Sequence, residues 1–490
     1  MQYGKSAATP SERSIGRGAL YALLLGLSVA AFLIIRRYGL SLTAPDPEPA
    51  AELFGAPGGL HNVDALMHVL LALAVIIVTA RAVGSLFARL HQPAVIGEVL
   101  AGILLGPSLL GRVAPSVSAY LLPQSVAPFL GVLSQVGVVL YMFLVGLELD
   151  FKLMRKSSHA MVAISHASIV TPFLLGSALA LVLYPRLSTG DVPFTVFALF
   201  CGVAMSVTAF PVLARILTDR GTHTSRMGVI ALTCAAVDDV TAWCLLAFVV
   251  GVAQTRVGGG LITAVLSVGY IAGMLVLARP AVRKLVEIQE QRGAMGKDVL
   301  AVIFVGMLLS SLATELIGIH AIFGAFVLGA LVPHDSRVAR ELTAKLEDVV
   351  VVLLLPAFFA YTGMRTKLGL VSGVEQWALC GVIILAASVG KFGGSSIAAR
   401  ATGLPWVDSA ALGILMNTRG LMELVVLNIG LDLRVISPTL FAMLVIMALV
   451  TTMATTPVLQ LLSRVARPPD ADAGGGYAEG QAAMPASRAV

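Results

Sequence analysis

The chain has 490 residues, of which 58% are hydrophobic and 12% charged, whereas an ordinary soluble domain is about 25% charged. With a mean hydropathy of +0.92, this excludes an ordinary soluble enzyme and indicates one multi-span membrane body, in which length counts helices and not domains. The net charge of +6 is no sign of nucleic-acid binding, because the 33 basic residues punctuate apolar segments and form no patch.

Windows of roughly 20 apolar residues predict fourteen spans in chain order. They cover residues 19–36, 64–88, 93–110, 126–148, 159–184, 192–217, 226–252, 260–279, 298–316, 320–332, 348–363, 375–400, 408–430 and 437–463. The tenth is short and is retained because the charge alternation fails without it. With the N terminus inside, 23 Lys and Arg residues fall to the inside segments and 8 to the outside loops, Lys391 and Arg419 lying within spans. This bias predicts that both termini are cytoplasmic. The first segment resembles a signal peptide, but no small-x-small cleavage pattern follows Ile35, so residues 1–63 read as an extra uncleaved helix and an acidic linker containing Pro45, Asp46, Pro47, Glu48 and Pro49. Residues 464–490 are expected to be a disordered cytoplasmic tail. Cys201, Cys234, Cys244 and Cys380 lie in apolar runs without CxxC spacing and read as packing residues.

An ionisable group at mid-bilayer costs at least about 2.5–3.5 kcal/mol on insertion scales, so each one is a functional candidate. Asp238 and Asp239 sit side by side at the middle of the seventh span, Lys391 lies within a turn of the centre of the twelfth, and Arg419 is at the centre of the thirteenth with Glu423 at i+4. The sixth span is interrupted at Ser206-Val207-Thr208-Ala209-Phe210-Pro211, because proline removes a donor and disfavours helix before it. Unwound backbone is tolerated in a membrane only where protein or a wet cavity covers it. Its freed carbonyls and the hydroxyls of Ser206 and Thr208 are hard oxygen donors of the kind a cation needs. Spans five to seven and twelve to fourteen, each roughly 90 residues long, enter the membrane from opposite sides and each hold an interruption, the second at Asn417 to Gly420; this is the arrangement of an inverted repeat.

The markers IGEVLAGILLGP (Ile96 to Pro107), FLVGLELD (Phe143 to Asp150), SVTAFPVLAR (Ser206 to Arg215), VDDV (Val237 to Val240) and NTRG (Asn417 to Gly420), in this order, resemble the monovalent cation:proton antiporter superfamily. The likeness is to its bacterial branch of Na+/H+ and K+/H+ exchangers and covers roughly residues 64–463. It implies an all-α fold of thirteen helices, here with one more at the N terminus, built of inverted repeats with two crossed broken helices. It implies further a homodimer in a bacterial inner membrane, with an ion-carrying core (residues 159–252 and 375–463) that moves like an elevator, scaffold and dimer helices (64–148 and 298–363) and a linking helix (260–279). In this family pattern Asp239 is the ion ligand, Asp238 faces Lys391, and Thr208 lies in the crossing beside the ligand. The cytoplasmic nucleotide-binding domain of ligand-gated potassium relatives has no counterpart here, so regulation of that kind is not expected. An Asp-Asp pair with an intramembrane Lys resembles the electrogenic exchangers.

Burial favours the neutral form of a carboxylic acid and a neighbouring cation favours the ionised form, so a carboxyl between these influences can exchange a proton for Na+ or K+. No covalent step and no cofactor is needed, and the expected activity is secondary antiport with H+ and the cation competing for Asp239. Lys391 is expected to pair with Asp238 in the empty site, although a purely structural bridge fixing helix register accounts for that pair as well. Arg419 and Glu423 read as mutual support, with Asn417 beside them. Glu98 and Glu148 lie near span ends, His166 and His320 read as packed or hydrogen-bonded histidines, and Gly390, Gly393 and Gly394 as close-approach residues, since no strand precedes them as a phosphate loop would require. The alternatives are a sodium-coupled solute symporter, in which Lys391 would bind an organic anion, and a receptor or passive channel whose acidic residues are structural.

Overall fold

The computed structural model describes residues 10–42, 62–148, 159–222, 225–254, 260–292 and 296–465. The acidic linker from residue 43, the tail from residue 466 and the last two residues of the Phe143 to Asp150 marker lie outside the described residues. The principal helices are α1 (Pro10–Gly39), α2 (Asn62–Arg89), α3 (Ala94–Leu105), α4 (Ala127–Leu147), α5 (His159–Leu187), α6 (Phe194–Ser206), α7 (Phe210–Asp219), α8 (Arg226–Gln254), α9 (Gly260–Gly273) and α10 (Arg279–Arg292). They continue as α11 (Lys297–Ile317), α12 (Ala321–Leu331), α13 (Arg337–Val349), α14 (Leu355–Arg365), α15 (Gly373–Ser388), α16 (Gly394–Ala401), α17 (Trp406–Met416), α18 (Leu421–Asp432) and α19 (Pro438–Val465).

Ten helical stretches among the described residues are long and apolar enough to cross a membrane, and α17 with α18, bent by 43°, makes an eleventh. The other three predicted spans coincide with α1, with the short α12 and with α13 continuing into α14. Two predicted boundaries fall short for one reason. Helix runs beyond the apolar window through α10 and at the start of α13, both rich in charge, and α13 keeps its contact with the body through Val338, Ala339 and Leu342. Three π turns, Met274–Ala278, Val350–Leu354 and Val389–Gly393, join helices that sequence reading treats as single rods. Pro93, Pro193 and Pro405 stand immediately before α3, α6 and α17, where a missing N–H costs nothing.

A helix that is apolar on every side belongs in the interior. α6 has 12 of its 13 residues buried and α18 has 11 of 12, so these two half-helices are the most enclosed elements. Around them α5 packs on α6, α8 and α16, α17 on α16, α8 and α19, and α15 on α5 and α19. A second group, α2, α3, α4, α11, α12 and α14, packs largely on itself. α1 lies against α5 and α6, with the Phe32 and Phe173 rings 6.1 Å apart and Arg36 Nε donating to Thr195 Oγ1 at 3.1 Å. Cys201, Cys234 and Cys380 are buried, and Cys244 is exposed on the surface of α8.

Close approach in the second group depends on glycine, as small residues at membrane helix contacts do. α4 and α12 meet at Gly146 and Gly329, where an added Cβ would stand 2.4 Å from the Phe326 carbonyl oxygen and 2.3 Å from that of Phe143 respectively. Neither backbone can yield without separating the helices. Gly146→Ala is therefore expected to destabilise the protein by about 1–3 kcal/mol, seen as a lower unfolding temperature in detergent; an unchanged temperature would show that the two helices can part freely.

Candidate ion-binding site

The site is built where two interrupted helices cross. Residues 207–209 separate α6 from α7, and 417–420 separate α17 from α18. The breaks are bonded to each other, the Ala209 N–H donating to the Thr418 carbonyl at 3.0 Å and Thr208 Oγ1 lying 3.4 Å from the Met416 carbonyl. The second break is also held by α19, since Thr452 Oγ1 accepts the Arg419 N–H at 2.9 Å.

Four half-helix ends therefore converge, each with its partial charge. The carbonyl end of α6 receives two cations: Arg419 donates through Nη1 to the Ala204 carbonyl at 3.0 Å and through Nη2 to that of Met205 at 2.8 Å, and Lys391 Nζ donates to the Ser206 carbonyl. The amide end of α7 faces a carboxylate, with the Phe210 N–H donating to Asp239. This distribution of charge is what helix dipoles favour, cations at a C terminus and an anion at an N terminus.

Asp238, Lys391, Thr208, Ser206, Arg419 and Glu423 are all 0% exposed and Asp239 is 5% exposed, so none of their charges is relieved by solvent. Lys391 Nζ stands 3.3 Å from Asp238 Oδ2. Thr208 Oγ1 donates to that same oxygen at 2.8 Å, so its hydroxyl meets Asp238 and not Asp239. The Ser206 hydroxyl turns away and donates to the carbonyls of Gly202 at 2.7 Å and Ile169 at 3.1 Å, leaving the Ser206 main-chain oxygen as its contribution beside Lys391. Arg419 pairs with Glu423 at 2.5 Å, as i,i+4 spacing predicts, and its reach to α6 is additional. Asn417 is buried with its Oδ1 unbonded.

Two residues that sequence reading missed complete the cluster. Ser165 Oγ donates to Asp238 Oδ1 at 2.5 Å, and Ser168 Oγ donates to Oδ2. A hydroxyl in an apolar run costs little, so nothing in the sequence singles these two out; the ring nitrogen of His166 between them lies 2.8 Å from the Val162 carbonyl of its own helix. Asp239 differs sharply from its neighbour, because its Oδ1 is buried and makes no hydrogen bond. Lys391 itself lies in the π turn Val389–Gly393, which Gly390 and Gly394 bring against Pro172 and Thr171 of α5; Gly393 faces open space. Among the described residues no cluster of three or more His, Cys, Asp or Glu forms a cage for a resident metal.

Glu148 lies beyond the end of α4, where burial and the nearby Glu347 raise its pKa above the usual carboxylate value. It contributes no contact to the crossing. The Arg419 to Glu423 pair does. Arg419→Ala leaves a buried carboxylate without its partner and two α6 carbonyls without donors, for an expected loss of about 3–5 kcal/mol. In detergent unfolding the single variant should be far less stable than the charge-free double variant Arg419→Met, Glu423→Leu; equal stabilities would refute the pairing account.

Comparison with known proteins gives a consistent result. Residues 71–463 match the transmembrane sodium/hydrogen exchanger family. The chain is 44% identical over 400 residues to the Na(+)/H(+) antiporter NhaS4 of Synechocystis sp., covering 81% of this chain and 98% of that protein. It is 40% identical to the cation/H(+) antiporter 20 of Arabidopsis thaliana and 33% identical to the K(+)/H(+) antiporter 1 of Saccharomyces cerevisiae, with 80% and 77% of this chain aligned. It spans about half the length of these two, 48% and 44% respectively. The sodium proton antiporter MjNhaP1 of Methanocaldococcus jannaschii has the same fold, with a TM-score of 0.59 over 82% of this chain and 99% of that one at 15% identity. The helix inventory, the crossed breaks and these matches together establish that the chain is a polytopic membrane protein belonging to the sodium/hydrogen exchanger family.

Proposed function

We propose that the chain is a secondary active antiporter that exchanges a monovalent cation, Na+ or K+, for H+, both competing for Asp239. The observation that carries this reading is the contrast within the acidic pair. Asp238 is engaged at both oxygens, whereas Asp239 Oδ1 is buried, unbonded and next to the amide end of a half-helix. A carboxylate oxygen in that position can hold a proton or a metal ion but not both at once. Loaded with either, Asp239 carries no net charge across the apolar interior; empty, it is an anion whose desolvation opposes the crossing.

In this reading α5 to α8 and α15 to α19 form the moving core, α2 to α4 and α11 to α14 the scaffold and dimer surface, and α9 the link between them. The packing of each helix group largely on itself supports that division. Assembly as a homodimer, residence in a bacterial inner membrane and cytoplasmic termini follow from the family resemblance and from the bias of basic residues. Symport of an organic anion is disfavoured, because the amine it would use is already shared between Asp238 and the Ser206 carbonyl, and the relatives are named as antiporters.

In proteoliposomes with an internal pH dye, NaCl or KCl should collapse an imposed proton gradient. Asp239→Asn should reduce this flux to that of empty liposomes while the variant still elutes as a folded protein. Near-normal exchange by Asp239→Asn would overturn the assignment and favour a structural role for the acidic pair.

A further inference from the structure

α14 and α18 belong to the two bodies that must slide past each other if the core crosses the membrane. α14 packs on α3 and α4, and α18 on α6 and α19. Their last turns are nevertheless joined by a chain of polar bonds. Arg365, buried at the end of α14, donates through Nη1 to Asn428 Oδ1 at 3.1 Å and pairs through Nη2 with Asp432 Oδ1 at 2.7 Å. Asn428 answers from its other side, its Nδ2 donating to Thr362 Oγ1 at 2.7 Å. Thr362 and Arg365 stand at i and i+3, Asn428 and Asp432 at i and i+4, so each helix presents both members of its pair on one face. The Arg365 guanidinium also lies over the Tyr361 ring, 5.3 Å from its centroid.

The bias of basic residues sets the eleventh and thirteenth predicted spans running from inside to outside. Arg365 and Asp432 are then both at outer ends, beyond the crossing that holds Asp239. The burial of the pair is unequal. The Asp432 side chain is 42% exposed, so water can take the place of Arg365 when the two part. A fully buried pair would leave a bare charge on separation, whereas a half-exposed one separates at modest cost. Such a contact can hold one arrangement without locking the protein in it.

We propose that Arg365, Thr362, Asn428 and Asp432 form a latch that closes the outer face, parts each time the core crosses, and so sets the share of molecules whose ion site opens outward. The inference rests on the division into moving core and fixed scaffold given above and deepens it. A cation arriving from outside binds only molecules whose latch is open, so its apparent affinity there is the intrinsic affinity reduced by that fraction.

In a Cys244→Ser background, Thr362→Cys and Asn428→Cys are introduced together and oxidised, with each single variant as a control. Cross-linked protein, identified by the mass of the joined peptides, is expected to lose proton movement driven by NaCl or KCl in proteoliposomes, and a reductant should restore it. Exchange at the full rate by cross-linked protein would show that α14 and α18 move as one body and would overturn the latch. Failure of the two cysteines to join would do the same, since the side chains they replace are in contact. Arg365→Gln gives the readout that a merely structural bridge would not move. The Na+ concentration for half-maximal exchange should fall by about three- to tenfold at the outer face, in right-side-out vesicles. At the inner face, in inverted vesicles, it should not fall. Equal changes at both faces, or none, count against the latch while leaving the exchange reading intact; should Arg365→Gln not fold, Asp432→Asn is read in the same way. If the reduced, unlinked protein moves no protons with either ion, the exchange reading falls and the latch with it.

Discussion

The carbonyl end of α6 is the constraint on which the rest of the structure depends. Ending a helix at the middle of a membrane leaves main-chain oxygens where no water reaches, and every such group must find a donor within the protein. Here the donors are two cationic side chains, Arg419 for Ala204 and Met205, and Lys391 for Ser206. Cations in lipid need anions in turn, and Glu423 and Asp238 supply them. One interruption thus calls for two bases and two acids. Asp239 is the acid left over, and the feature that supports a transport role is this surplus.

The same logic explains why the two breaks face each other. A single unwound segment would have to be covered by regular helices, whose own main-chain groups are already used. Two unwound segments can satisfy each other, as Ala209 and Thr418 do. The half-helices then meet end on, so that dipoles stabilise charges of opposite sign a few ångströms apart. The enclosure of α6 and α18 follows, since elements that carry these ends cannot be left facing lipid.

Much of this was legible in the sequence, for a physical reason: a proline, an acid or a base inside an apolar run stands out because it is costly there. Pro211, Asp238, Asp239, Lys391 and Arg419 are all of that kind, and they locate both breaks and the acidic pair. The positive-inside bias and opposite parity of two similar segments predict an inverted repeat without any detectable likeness between its halves. Hydroxyl groups carry no such signal. Ser165, Ser168 and Thr452 resemble any other serine or threonine in a membrane helix, and only the packing of α5 on α8 and of α17 on α19 tells which of them meets a charge. Ser206 shows the converse, since its hydroxyl has the right chemistry for a ligand but points to the carbonyls of Gly202 and Ile169. Arg419 acts on residues more than two hundred positions earlier in the chain, a distance that no local pattern spans.

The π turn at Val389–Gly393 carries a further implication. It holds one residue more than regular helix would, and Gly390 and Gly394 flank it as the points seated on α5. Deleting one residue there would yield a plain α-helix with the stretch beyond it nearly in place, and would shift the residues inside the turn, Lys391 among them, around the helix axis. Length in this segment is thus under the same constraint as chemistry: a surplus position with no functional group of its own fixes the azimuth of the amine.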